Sequence, residues 1–204
     1  RFMPDWTFGI QDEHMQEVVD KVRATEKPAL VVVISHNGMD VDLKMASRVT
    51  GIDIIFGGHT HDGIPAPTVV NNASGKTLVT NAGSNGKFVG VMDLDVKDGK
   101  LRDFRYRLLP VFSNLLPADP EMVKYISEVR APYKDKLEVK LATAGETLYR
   151  RGNFNGTFDQ VICDALREVN DAQVSLSPGF RWGTTVLPGQ TITMDNVMDQ
   201  TCIT

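Results

Sequence analysis

Apolar residues in the first 60 positions switch between helical spacing and continuous β-branched runs. In QDEHMQEVVDKVRA the apolar positions lie on one helical face, which predicts an amphipathic helix; they are Met15, Val18, Val19 and Val22. PALVVVIS predicts a strand covered on both faces. DVDLKMASRVTG predicts a second helix with Asp42 as its N-cap, and IDIIF a second buried strand. This order predicts an α/β fold with a parallel core.

Further along the chain, alternating apolar runs take over. FVGVMDLDV and LRDFRYRLLPV are joined by KDGK, and Asp-Gly between alternating runs is a strong hairpin signal. Antiparallel strands therefore join the sheet at about residues 77–111, as at the edge of an α/β sandwich. A helix should follow, with Asp119 as N-cap and Pro120 at its first position, interrupted at Pro132.

After the linker helix the chain starts a new series of short strands, a helix and a glycine-rich loop, which predicts a second domain. It predicts a short strand near LATAGETL, a helix in TFDQVICDALREV, a strand in AQVSLS and a glycine-rich loop in SPGFRWGTT. We therefore divide the chain into a first domain in residues 1–115, a linker helix in residues 116–140 and a second domain that begins in residues 141–204.

Composition and charge narrow the possible functions. The chain is 42% hydrophobic and 24% charged, which suits a packed core, and its net charge of -4 without a basic patch argues against nucleic-acid binding. No apolar stretch approaches the roughly 18–20 residues that span a bilayer. The chain begins RFMPDWTFGI, without a targeting signal, and both ends are expected to be cuts through a longer protein. Whether Cys163 and Cys202 form a disulfide stays open.

Three of the four histidines fall at the ends of the two predicted strands. His36 follows the first strand, and His59 and His61 follow the second. Carboxyl ends of adjacent parallel strands share one edge of a sheet, and His-x-His in extended structure sends both rings to one side. We therefore predict that these three side chains bind metal, rather than being polar residues at strand ends. His14 lies on an exposed helix face and is the solvated exception.

The neighbouring residues refine the kind of site. Imidazoles mixed with carboxylates suit Mn²⁺, Fe²⁺ or Zn²⁺ in hydrolysis. Asp40, Asp42 and Asp62 are close in sequence; Asp42 is best explained as a helix cap, and Asp62 as a turn residue or as a partner that orients a histidine. In SPGFRWGTT, Arg181 could bind a tetrahedral oxyanion through its guanidinium, or it could be a surface residue packed on Trp182.

Two groups of segments resemble a known family. They are SHNG, GIDIIFGGHTHD and TNAGSNGKFVGVMDLDV, and later GNFNGTFDQVICDALREVNDAQVSLSPGFRWGTTVLPGQTIT. They resemble the SoxB family of thiosulfohydrolases, in the 5′-nucleotidase branch of the calcineurin-like metallophosphoesterases. SHNG and GGHTH are common to the superfamily, whereas PDWTFGI and SPGFRWGTT favour SoxB over a nucleotidase.

The resemblance implies an α/β/β/α sandwich, a linker helix and a 5′-nucleotidase-type C-terminal substrate domain. It implies two Mn²⁺ ions, with His36, His59 and His61 among their ligands. The family's other ligands and its catalytic histidine match no residue here and are expected before residue 1. We therefore expect an internal fragment that lacks part of its sheet and is inactive alone.

The resemblance also implies a reaction and a partner. The complete protein would act in the bacterial periplasm as a monomer, without nucleic-acid or membrane partners. It would hydrolyse the sulfonate from a cysteine-bound thiosulfonate on the C-terminal arm of the SoxYZ carrier and release sulfate. Arg181 would bind the sulfonate and Trp182 would shape the channel. Two alternatives stay open: a nucleotidase-like phosphoesterase, and a non-catalytic binding domain of the same fold.

Overall fold

Helices and strands alternate through the first part of the chain, as the apolar pattern predicts. The computed structural model describes residues 5–150, 152, 154–177 and 184–201. The helices are α1 Asp12–Thr25, α2 Met39–Arg48, α3 Pro120–Arg130, α4 Lys134–Leu137, α5 Thr157–Asn170 and α6 Met194–Thr201. The strands are β1 Val32–Ile34, β2 Ile54–Gly57, β3 Thr68–Asn72, β4 Gly75–Asn81, β5 Phe88–Lys97, β6 Lys100–Pro110, β7 Lys140–Thr143 and β8 Thr191–Thr193. They divide between two compact units, Arg1–Pro117 and Ala118–Thr204; the three predicted segment boundaries stay a prediction.

The first unit contains a four-stranded sheet in the order β1-β2-β4-β3. β1, β2 and β4 are parallel, and β3 is antiparallel to β4, which confirms the predicted α/β class and its parallel core. α1 and α2 cover the side of the sheet that carries Ile55 and Val79. This core consists of Val19, Met45, Ala46, Val49, Ile52, Ile55 and Val79. The apolar stripe of each helix is therefore what attaches it to the sheet.

β1 differs from its prediction as a strand covered on both faces. Val33 packs against the helical core, but Val32 is 44% and Ile34 is 88% exposed. The reason is the position of β1 at the edge of the sheet, with helices on one side only. A continuous β-branched run is typical of a doubly covered strand, but on this second face only the inner strands are covered: Ile54 and Leu78 are fully buried there, whereas the edge strand is not.

The hairpin predicted from Asp-Gly is present, but the prediction that its strands join the parallel sheet is wrong, because they form a separate two-stranded sheet. β5 and β6 pair antiparallel over ten residue pairs, from Phe88–Pro110 to Lys97–Lys100. Asp98 and Gly99 occupy the turn with φ of 52° and 68°. Positive φ at both central positions is what a two-residue turn needs to match the twist of its strands, so Asp-Gly fits this position.

In the second unit, the predicted helix start and interruption are confirmed. The Asp119 side chain accepts a hydrogen bond from the Met122 backbone N–H at 2.9 Å, with Pro120 in the first turn. α3 ends at Arg130, and a 3₁₀ turn that contains Pro132 follows at Ala131–Tyr133. Proline cannot supply the N–H that would continue the helix.

The rest of the second unit is built around a small core. β7 and β8 pair antiparallel, and the core consists of Ala144, Leu148, Phe158 and Val186. The strand predicted in AQVSLS is wrong, because residues 172–177 form no strand and Val174 and Leu176 are exposed. Strand propensity depends on pairing and burial, and these residues have neither. Within the described parts of the chain, no helix has the length and apolarity to cross a membrane.

Candidate functional site

Two histidines meet at one edge of the parallel sheet. Ile34 at the end of β1 lies beside Phe56 near the end of β2, so the segments that follow both strands leave the same edge. The rings of His36 and His59 lie there with centroids 5.2 Å apart and planes at 71°. The predicted proximity of these two side chains is therefore observed, and their role as metal ligands stays a prediction.

His61 follows a different path from the one we predicted. We expected His-x-His to be extended, but His59 and His61 have φ of 68° and 60°, in the left-handed region. The turn between them is tight, and the Nδ1 atom of His61 is shielded from solvent. Across the described ranges, no group of three or more His, Cys, Asp or Glu side chains is arranged to hold a metal ion. The structure thus brings together two of the three predicted ligands.

Gly57 and Gly58 contribute to this edge by leaving room for neighbouring side chains, and neither has positive φ. The positive φ values fall on His59 and His61 instead. A Cβ on Gly58 would lie 3.2 Å from Nδ1 of His36, and one on Gly57 would lie 2.5 Å from Oδ2 of Asp42. Both glycines therefore allow a side chain of a neighbouring segment to approach the backbone of β2 closely.

Asp42 is not the N-cap of α2, which is a correction of the prediction. The N-cap is Gly38, and Asp42 lies inside the first turn with 1% exposure. Its Oδ1 accepts a hydrogen bond from Ser35 Oγ at 2.5 Å. Burial raises the pKa of the Asp42 carboxyl, and the Ser35 hydroxyl partly opposes this shift. The Asp42 carboxylate thus holds Ser35, the residue that directly precedes His36.

Asp62 and Asn81 shape the turn after β2. Asp62 Oδ2 accepts a hydrogen bond from Thr60 Oγ1 at 2.5 Å. Asn81, buried at the end of β4, donates from Nδ2 to the Gly58 carbonyl oxygen at 3.2 Å. We did not predict a role for Asn81, although its position at the end of a third strand after TLVT could have suggested one. Asp40, the remaining predicted carboxylate, is exposed.

The predicted substrate residues Arg181 and Trp182, and also Cys202, lie outside the described residues. Cys163 is free within the part that is described.

The described residues of the second unit contain a buried ionic network that our predictions missed. Arg150 Nε pairs with Asp159 Oδ1 at 2.9 Å, Ser177 Oγ donates to the same oxygen at 3.0 Å, and Arg150 also donates to the Gln200 carbonyl. The sequence signal for this network was Asp159, a carboxylate between Phe158 and Ile162 on the apolar face of a predicted helix.

Comparison with known proteins extends this picture. The chain superposes on the sulfate thiohydrolase SoxB of Thermus thermophilus with a TM-score of 0.79 and 38% identity, over 93% of this chain and 34% of that one. It matches a 5′-nucleotidase precursor of the same species with a TM-score of 0.78 and 26% identity, over 92% of this chain and 41% of that one. The chain belongs to the 5′-nucleotidase branch of the metallophosphoesterases.

A third match agrees with this family. The trifunctional nucleotide phosphoesterase YfkN of Bacillus subtilis is 38% identical over 82 residues, which is 40% of this chain and 6% of that protein. No family model matches the chain. The chain spans about a third of the SoxB structure and a smaller part of YfkN. These relatives in the 5′-nucleotidase branch support the assignment of the chain to a hydrolase of the phosphoesterase family.

Proposed function

We propose that the complete gene product is a thiosulfohydrolase that uses two manganese ions and acts on a cysteine-bound thiosulfonate of the SoxYZ carrier in the periplasm. The observation that supports this most is the difference between two matches of equal extent. Identity is 38% with SoxB over 93% of the chain, against 26% with the 5′-nucleotidase precursor over 92%. Since both matches cover nearly the whole chain, the difference favours SoxB chemistry.

The donors at the sheet edge suit a metal site of this kind. The imidazoles of His36 and His59 are adjacent, and Gly58 leaves space beside Nδ1 of His36. We propose that they are ligands, that His61 is the third, and that residues outside this chain complete the site. Bound metal ions would lower the pKa of a water molecule and neutralise charge on sulfonate oxygens. Imidazole with carboxylate donors is compatible with manganese.

The proposed reaction is a hydrolysis at sulfur. The oxygen of water bonds to the sulfonate sulfur, and the sulfur–sulfur bond breaks with its electron pair leaving on the sulfane sulfur. The products are sulfate and a persulfide on the carrier cysteine, and the two protons of water are released to solvent. Arg181 would hold two sulfonate oxygens through its planar guanidinium, and Trp182 would line the path of the carrier arm. Replacing Arg181 with Lys should raise KM for the carrier, because an ammonium lacks the two-pronged geometry.

The deciding experiment compares two substrates with the purified complete gene product loaded with Mn²⁺. One is SoxYZ carrying a thiosulfonate on its cysteine, with sulfate measured by ion chromatography. The other is a nucleoside 5′-monophosphate, with phosphate measured. We expect sulfate release with a kcat/KM far above that for the nucleotide.

A nucleotidase is the second candidate, and it is favoured by the similarity to YfkN and to the 5′-nucleotidase precursor. Rapid phosphate release without sulfate would establish it and reject the thiosulfohydrolase. A protein that binds SoxYZ but turns over neither substrate would instead be the non-catalytic domain.

Metal ligation is tested separately from turnover. The variant His59→Ala should lose manganese, as measured by mass spectrometry of the purified protein. The matched control is His14→Ala, because the His14 side chain is 74% exposed on α1 and lies 3.7 Å from Glu17. Equal manganese content in both variants would rule out His59 as a ligand.

A further inference from the structure

Thr60 connects the two segments that carry the adjacent histidines. It lies between His59 and His61, in the turn after β2. Its Oγ1 accepts a hydrogen bond from the backbone N–H of Met39 at 3.2 Å and donates one to Asp62 Oδ2 at 2.5 Å. Met39 is the first residue of α2, only three positions after His36. A single hydroxyl therefore links the two ligand-bearing segments.

The start of α2 needs this hydroxyl because the helix has no cap of its own. The first N–H groups of a helix lack partners within the helix. The N-cap is Gly38, which has no side chain to accept from them. Thr60 supplies an acceptor from a different part of the chain, and Gly38 lets it approach. A Cβ on Gly38, where φ is 101°, would lie 3.0 Å from the Thr60 methyl carbon.

Asp62 sets the direction of the Thr60 hydroxyl. A hydroxyl has one proton to donate and lone pairs to accept with. Because the proton points to a carboxylate, in a charge-assisted bond, the lone pairs are left for the Met39 N–H. The side chain at this position must both donate and accept, which serine can do and valine cannot.

The same turn holds two backbone conformations that cost free energy. Left-handed backbone at residues other than glycine costs free energy and persists where surrounding contacts enforce it. His59 and His61 both adopt it, and the side chain of Thr60 between them is anchored on both sides. The Thr60 bonds are therefore well placed to maintain the geometry of this turn.

We propose that Thr60, oriented by Asp62, is a positioning residue that sets the distance between His36 and His59 and so the affinity of the metal site. The inference rests on the proposed function, since it assumes that these histidines bind manganese. Thr60 is exposed to solvent, so its replacement leaves the apolar core unchanged.

The test compares Thr60→Val with Thr60→Ser in the complete gene product, stripped of metal. Manganese affinity is measured by titration calorimetry, and amide hydrogen exchange is measured at Met39, with Ile55 in the buried core as reference. Removing a residue that orients metal ligands weakens binding by about 10–100-fold. We expect that loss for Thr60→Val, with faster exchange at Met39 and unchanged exchange at Ile55, and an affinity within about threefold of wild type for Thr60→Ser.

The outcomes separate this inference from the proposed function. Wild-type affinity in Thr60→Val together with faster exchange at Met39 would overturn the inference, because the hydroxyl would then only cap the helix. An equal loss of affinity in Thr60→Ser would also overturn it. If the wild-type protein binds no manganese, the proposed function fails and this inference fails with it.

Discussion

The two units of the chain each bury a carboxylate in the first turn of a helix, but they compensate its charge differently. Asp159 in α5 faces the guanidinium of Arg150, and both side chains are less than a tenth exposed. Asp42 in α2 is equally buried and accepts from Ser35, while its Oδ2 makes no hydrogen bond to any described residue. The first carboxylate belongs to an ion pair, and the second has a hydroxyl as its partner.

The two environments give the two carboxylates different roles. A buried ion pair with further hydrogen bonds holds its surroundings rigidly. Removing one partner of such a pair strongly destabilises the fold, because the remaining charge is left buried without its counterion. A buried carboxylate without a cation has a raised pKa, and its charge costs stability when it ionises. In the first unit that carboxylate lies below the edge with His36 and His59, where residues outside this chain are proposed to contribute.

The largest effect is expected from breaking the ion pair. Arg150→Met leaves Asp159 buried without its cation and should lower the free energy of unfolding of the second unit by about 3–5 kcal/mol. Calorimetry or urea unfolding measures this. The double variant Arg150→Met/Asp159→Leu should recover most of the loss, because no buried charge remains. A single variant as stable as wild type would show that the pair does not hold this unit.

A smaller loss is expected from crowding Asp42. In Gly57→Ala the new methyl group would lie 2.5 Å from Asp42 Oδ2, and overpacking of this kind costs about 1–3 kcal/mol. Gly145→Ala is the matched control, since a Cβ there meets no atom within 4 Å, and it should be neutral or slightly stabilising. Equal urea midpoints for the two variants would contradict the close approach of Asp42 to β2.

The pH dependence of stability should separate Asp42 from its asparagine variant. With a pKa raised above its usual 3.8, Asp42 binds its proton more tightly in the folded than in the unfolded state. The contribution of Asp42 to the free energy of unfolding therefore falls as pH rises from about 4 through its pKa in the folded state. Asparagine does not titrate, so Asp42→Asn should gain stability relative to wild type over that range.

That comparison is made by urea unfolding at several pH values in the presence of a chelator. The single variant Ser35→Ala should steepen the pH dependence of the free energy of unfolding. The Ser35 hydroxyl lowers the Asp42 pKa, so its removal raises that pKa further. A difference between Asp42→Asn and wild type that is constant from pH 4 to 8 would disprove the raised pKa.

The smallest effect is expected at a partly exposed carboxylate on the surface, Asp12. Asp12 accepts a hydrogen bond from Arg48 at 3.0 Å, which lowers the Asp12 pKa. A lowered pKa contributes stability above the usual value of 3.8, and this contribution is lost as pH falls. Asp12→Asn should therefore cost less than any change above, and roughly 1 M salt should abolish the difference. A cost that persists in salt would mean that this pair is shielded from solvent.

The edge that carries His36 and His59 was predictable in part. His36 and His59 come together because parallel strands end at a common edge, and two consecutive strands joined by one helix are expected to be neighbours. The role of Asp42 could not be predicted, because a carboxylate near a helix start is usually a cap. Its burial depends on Ser35 and Gly57, which only the folded chain brings to it.

The amino-acid sequence was sufficient to predict the helices and strands with strong periodicity, the Asp-Gly turn, the Asp119 cap and the meeting of His36 with His59 at one edge. These follow from local backbone preferences and from the geometry of parallel strands. Three features could be learned only from the folded chain: the exposure of Ile34, the left-handed backbone at His59 and His61, and the hydrogen bond from Met39 to Thr60. Those features depend on which segments meet in space, and contacts distant in sequence override local preference there.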